Sequence, residues 1–157
     1  MTIYTIGVYG STEDEFFTKL IENHIDLFCD IRQRRGVRGR QYAFVNSQYL
    51  QNKLAELGIG YLYEKRYAPT KAIREMQWAE DKEEHLTKKS RIVLGHAFCC
   101  GYEQLILKKE NLDELMDAFK DSQRVALFCL ESHPEACHRS LLANRIYQKY
   151  GLEIVHL

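Results

Sequence analysis

Apolar positions along this chain alternate between two spacings. Short apolar runs at residues 3–6, 25–31, 59–63, 125–130 and 152–157 have the length and composition of strands, and the run at 125–130 suits a strand buried on both faces. Between them the apolar residues recur at helical spacing. Phe16, Phe17, Leu20 and Ile21 mark a helix to about Asn23, and Tyr49, Leu50, Leu54 and Leu57 mark another that Gly58 stops. Leu112, Leu115, Met116 and Phe119 follow a capping Asn111, and a last helix runs over 135–150 until Gly151. Thr12 with Glu15, and Ser132 with Glu135, are spaced as capping boxes; Asn46 can cap, and Pro134 falls in a first turn, where its missing N–H costs nothing.

The pattern weakens over residues 67–107. Pro69-Thr70 can open a helix, and the charged run at 80–89 reads as a solvated helical face. Ile92-Val93-Leu94 resembles a strand, but Leu94, Phe98, Tyr102 and Leu105 have a helical period, which favours a helix. Strand and helix otherwise alternate. This predicts a single Rossmann-like α/β domain over 1–157, with a mainly parallel sheet of about five strands flanked by helices. The strand order 3-2-1-4-5 is expected, because it sets the Gly7 turn between Asp30 and Glu131.

Composition narrows the picture modestly. Hydrophobic residues make up 45% and charged ones 28%, as in an ordinary soluble protein, and the 22 basic residues balance 22 acidic ones. Any affinity for nucleic acid must therefore come from a local patch. No apolar run approaches the roughly 18 residues of a membrane span, and Met1 leads straight into a strand-like pattern, so neither a membrane segment nor a signal peptide is expected. Five cysteines without a regular framework fit a reducing, cytoplasmic setting better than a disulfide scaffold.

Candidate chemistry gathers where strands end. Parallel strands send their carboxyl ends to one edge, which would bring Gly7, Asp30 and Glu131 together beside the helix start that carries Cys137, His138 and Arg139. Arg139 offers a planar donor fork for phosphate or carboxylate; the plainer reading pairs it with Asp30 or Glu131. Asp30, Glu131, His138 and Arg139 are thus the catalytic candidates. Arg32, Arg34, Arg35, Arg38 and Arg40 crowd one glycine-broken loop, and Arg in preference to Lys favours bidentate phosphate contact over a merely solvated loop. Tyr42 and Phe44 follow and could stack on a base. With Gly7, these arginines and Tyr42 form the ligand-binding candidates. Cys137 is expected in the second helical turn, where the dipole has faded, and reads as a small buried residue more readily than as a nucleophile. Cys129 lacks an Arg six positions on, where Glu135 stands, so no phosphatase loop is present. Cys129, Cys137 and His138 form no paired C-x-x-C knuckle, and Cys99-Cys100 are adjacent, so neither a metal nor a cofactor is expected. Gly7-x-x-Gly10 is a weak dinucleotide signal, the other histidines stand alone, and Trp78 reads as core.

Four motifs in order carry a family likeness: Thr5-Ile6-Gly7, Asp30-Ile31-Arg32, Cys129-Leu130-Glu131 with Cys137-His138-Arg139, and Val155-His156. In these the chain resembles the uncharacterised proteins grouped as domain of unknown function family 488. It departs in having Val8 where many members carry a histidine, and RQRRGVRGR in place of a proline-containing loop. The resemblance implies the α/β fold and the strand-end site, and no reaction. The residues themselves leave two functions open. One is an enzyme acting on a phosphate-bearing ligand, a nucleotide or nucleic acid. The other is a non-catalytic anion- or nucleic-acid-binding module.

Overall fold

The computed structural model describes residues 1–85, 87 and 92–157. The described residues form a five-stranded, all-parallel sheet: β1 (Thr2–Ile6), β2 (Leu27–Asp30), β3 (Gly60–Tyr63), β4 (Arg124–Phe128) and β5 (Ile154–His156). Helices α1 (Glu13–Glu22), α2 (Ser47–Glu56), α3 (Lys71–Glu83), α4 (His96–Tyr102), α5 (Leu112–Ala118) and α6 (His138–Tyr150) cover it. The fold is the expected α/β arrangement. No helix among the described residues is long and apolar enough to cross a membrane.

Strand side chains alternate between faces, and this splits the core in two. Ile3, Cys29, Val125 and Leu127 join Ile73, Phe98, Tyr102, Leu115, Leu142 and Ile146 beneath α3–α6. Ile6, Phe28, Ala126 and Phe128 join Phe16, Leu20, Leu50 and Leu54 beneath α1 and α2. Covered on both faces, the strands have no polar face to show, hence their continuous apolar runs.

The strand order is β3-β2-β4-β1-β5, not 3-2-1-4-5. β4 lies between β2 and β1, so Glu131, not Gly7, stands in the middle of the carboxyl edge. In register, Phe128 pairs with both Ile6 and Asp30, which levels the three strand ends. The chain leaves β2 toward α2 on one face and leaves β4 toward α6 on the other. Such a reversal opens a crevice between the two loops, the usual ligand position in open α/β sheets.

Other departures are local. α6 begins at His138; Pro134–Ala136 form a 3-10 turn, and Cys137 takes the extended N-cap position. The Ser132–Glu135 capping box therefore does not form. Asn46 precedes α2 without a side-chain cap bond and instead accepts from the Val37 N–H at 2.7 Å, pinning the arginine loop. Ile92 and Val93 are exposed and lie outside any helix, and α4 starts after Gly95. In the charged run, α3 ends at Glu83 with Glu84 as its C-cap, while residues 86, 88 and 89 lie outside the described residues.

Candidate functional site at the carboxyl edge of the sheet

Behind the end of β2, Asp30 and Arg32 lock together. Arg32 donates from Nε to Oδ1 at 2.9 Å and from Nη2 to Oδ2 at 2.7 Å, and its backbone N–H also reaches Oδ1. Tyr61 adds a hydroxyl to Oδ2 at 2.9 Å, and the guanidinium lies over the Phe128 ring. Both charges are buried, and a buried pair holds only when its remaining polar atoms are satisfied. Asp30 meets that condition with four donors. Arg32 does not: its Nη1 is buried without a hydrogen-bond partner.

Arg32 lines a cavity of about 240 Å³. Glu131, Cys129, Cys137 and His138 form another part of its wall, Arg34 belongs to it from the loop, and Arg74, Trp78 and Phe98 close it from α3 and α4. Gln77 fixes that lid, accepting from the Gly95 N–H at 2.7 Å while donating to Asp81 at 2.8 Å. The Leu94 N–H donates to the Glu135 carbonyl at 2.9 Å, tying the segment before α4 to the turn before α6.

Within the cavity wall, Cys129 donates its S–H to Glu131 Oε2 at 3.2 Å. His138 Nε2 lies 3.1 Å from the Ile31 carbonyl oxygen, which can only accept, so Nε2 carries the proton. Nδ1 then faces the sulfurs as an acceptor, 3.7 Å from Cys137 Sγ. Burial works against the imidazolium of His138. Cys129, Glu131 and the Ile31 carbonyl outweigh it and raise the pKa above its ordinary value. Burial pushes the Cys137 thiol well up, with Cys129 and Glu131 adding to it. A buried, protonated thiol is no ready nucleophile, although Cys137 is at the N-cap and not in the second turn.

The structure brings Arg32, Arg34, Glu131 and His138 into one cavity wall; the other candidates sit elsewhere. Arg139, 1% exposed, donates from its two amino groups to the carbonyls of Glu131 and Ser132 and holds that loop from behind. Gly7 lets β1 pass under the same loop, since a Cβ there would lie 1.9 Å from the Glu131 carbonyl oxygen. Arg35 stacks over Tyr63, and the exposed Arg38 and Arg40 do not line the cavity. Tyr42 and Phe44 are buried against each other, and the Tyr42 hydroxyl accepts from the Gly10 N–H, so base stacking on these rings is not available. Among the cavity residues, Arg74 and Gln77 escaped the sequence reading, and Trp78, read there as core, is half exposed. A lone Trp among charged residues was the one signal.

An open parallel sheet with a cavity at a topological reversal defines the class, an open α/β protein with a cavity at the carboxyl edge of its sheet. Within that class the chain belongs to the family described as Domain of unknown function DUF488, which matches residues 12–146. The matched stretch contains Asp30-Ile31-Arg32, Cys129-Leu130-Glu131 and Cys137-His138-Arg139, while Thr5-Ile6-Gly7 and Val155-His156 fall outside it. No curated protein and no solved structure matches the chain.

Proposed function

We propose that the cavity takes a small phosphate-bearing ligand and that the protein acts on it as an enzyme. One observation carries this reading. Arg32 is 2% exposed and lines the cavity, yet its Nη1 has no partner. A buried donor left unsatisfied costs about 1–3 kcal/mol, more when charged, and an anion would remove that cost. Arg34 and Arg74 add two further guanidinium groups to the wall, with Arg74 Nε also unpartnered. Planar forks of this kind match phosphate oxygens in pairs. A cavity of about 240 Å³ is small for a ligand site, which favours a mononucleotide or a nucleic-acid end over a duplex.

In this reading Glu131 is the base and His138 the acid or orienter. Asp30 and Arg139 are positioning residues: the first holds the Arg32 fork, the second the Glu131 loop. The test is a screen of inorganic phosphate, nucleotides and short RNA and DNA for both binding and conversion. It uses the wild type, Glu131→Gln, and the double variant Arg34→Ala with Arg74→Ala. The double variant is expected to bind about tenfold or more weakly and with a flatter salt dependence. Glu131→Gln is expected to keep most binding and lose roughly 100-fold or more in turnover. Binding without conversion in the wild type would make this a binding module; no phosphate ligand bound at low salt would end both readings.

A further inference from the structure

We propose that Cys129, Cys137 and His138 are three ligands of one thiophilic divalent metal ion of the zinc type, with the fourth position open to the cavity. The inference does not need the phosphate reading, but the two share His138: bound to a metal through Nδ1, His138 serves as an orienter and not as an acid. It begins with convergence: one ligand atom from each residue lies within 4.8 Å of the other two, and all three residues are buried. Tetrahedral zinc with bonds of about 2.3 Å to sulfur and about 2.0–2.1 Å to nitrogen needs donors about 3.5–3.8 Å apart. Cys137 Sγ and His138 Nδ1 are already 3.7 Å apart.

The imidazole is prepared for this role. Its Nε2–H is spent on the Ile31 carbonyl at 3.1 Å, which fixes the tautomer and leaves Nδ1 as a lone-pair donor beside the sulfurs. Metal-bound histidines nearly always have such an outer partner. Glu131 is placed to take the Cys129 proton, at 3.2 Å. On binding, two S–H bonds break and two sulfur–metal bonds form. The Cys129 proton passes to Glu131 and onward to solvent, and the Cys137 proton leaves through the cavity. Two thiolates then cancel the dication, with no change of oxidation state, and the ion makes buried thiolates tolerable where burial alone forbids them. All three donors line the cavity, so the remaining position falls to water or an oxygen anion, the arrangement of a catalytic and not a structural site. Linear spacing hid this set, because Cys129 follows β4 while Cys137 and His138 open α6.

The test is titration of chelator-treated, reduced protein with Co²⁺ as an optical stand-in, followed by competition with Zn²⁺. One Co²⁺ per chain is expected, with the thiolate-to-metal charge-transfer absorption and intense visible bands of a tetrahedral site, released by Zn²⁺, and with two protons liberated per ion. Cys129→Ser and Cys137→Ser should each lose most of the charge-transfer intensity. His138→Gln should weaken binding at least tenfold, and the double variant Cys99→Ser with Cys100→Ser should bind as wild type. Circular dichroism identifies any variant that fails to fold; for one that does, carbamidomethylation of the native wild type is the second measurement, with Co²⁺ expected to protect Cys129 and Cys137 but not Cys100. No charge-transfer band in the wild type overturns the proposal, as does a band that survives both buried-cysteine variants or vanishes with Cys99 and Cys100.

Discussion

Gly7 and Arg139 secure the same piece of backbone from two sides. β1 passes so close to the loop after β4 that only a hydrogen fits, and Arg139 grips the carbonyls of Glu131 and Ser132. The obstacle at Gly7 is main chain and not a flexible side chain, so Gly7→Ala must displace the loop that carries Glu131. A loss of roughly 2–3 kcal/mol is expected, read as a lower urea midpoint, with altered cavity ligand binding in the protein that remains folded. An unchanged midpoint would mean that the loop moves freely. At this scale the sequence was informative where chemistry clusters at strand ends: Asp30, Arg32, Glu131 and His138 all fall at the carboxyl edge. It was silent about Arg74 and Gln77 and misread Trp78 as core; their place over the site comes from packing of α3 and not from any local pattern.

Between elements, the start of α6 sets which side chains reach the cavity wall. Ser132, Pro134 and Glu135 spell a helix start, yet the helix waits until His138 because Pro134–Ala136 close a separate 3-10 turn whose Glu135 carbonyl is held by the Leu94 N–H. That contact spans some forty residues of chain, beyond the reach of a capping rule that sees only four. The delay puts Cys137 at the N-cap and His138 in the first turn, side by side with Cys129. Arg139, next in line, anchors the element to the loop it follows. Arg139→Met keeps the bulk but removes both donated bonds, and hydrogen bonds from charged groups contribute about 1.5–3 kcal/mol each. Arg139→Met is expected to lower stability by roughly 2–4 kcal/mol. It should also raise amide exchange at Ser132 and His133 more than in β1; uniform exchange across both would show that the loop does not depend on this residue.

For the whole molecule, the alternation of strands and helices was enough to predict a parallel sheet, but not where the fourth strand enters it. Both orders place β2 beside β3 and satisfy the same apolar runs; only the long return through α3–α5 sends β4 between β2 and β1. On the other side of β2, Tyr61 of β3 is half-buried against Asp30, and Tyr67 is buried in the core beneath α3–α6. Burial and the Asp30 charge push the Tyr61 phenol up to about 12, and burial pushes Tyr67 up as well. A phenol raised above its unfolded value of about 10 binds its proton more tightly in the folded state. Its contribution to stability is complete below about pH 10 and is lost as pH rises from there toward the folded value, since the unfolded chain gives up that proton first. Urea midpoints are therefore expected to hold steady through neutral pH and then fall steeply above about pH 10, with tyrosinate absorbance appearing partly in step with unfolding. Tyr61→Phe, which leaves Asp30 its three bonds from Arg32, should make the alkaline fall shallower while changing the neutral midpoint less. Equal slopes in the variant and the wild type would show that Tyr61 ionises as an exposed phenol, and that the boundary between β2 and β3 is open to water.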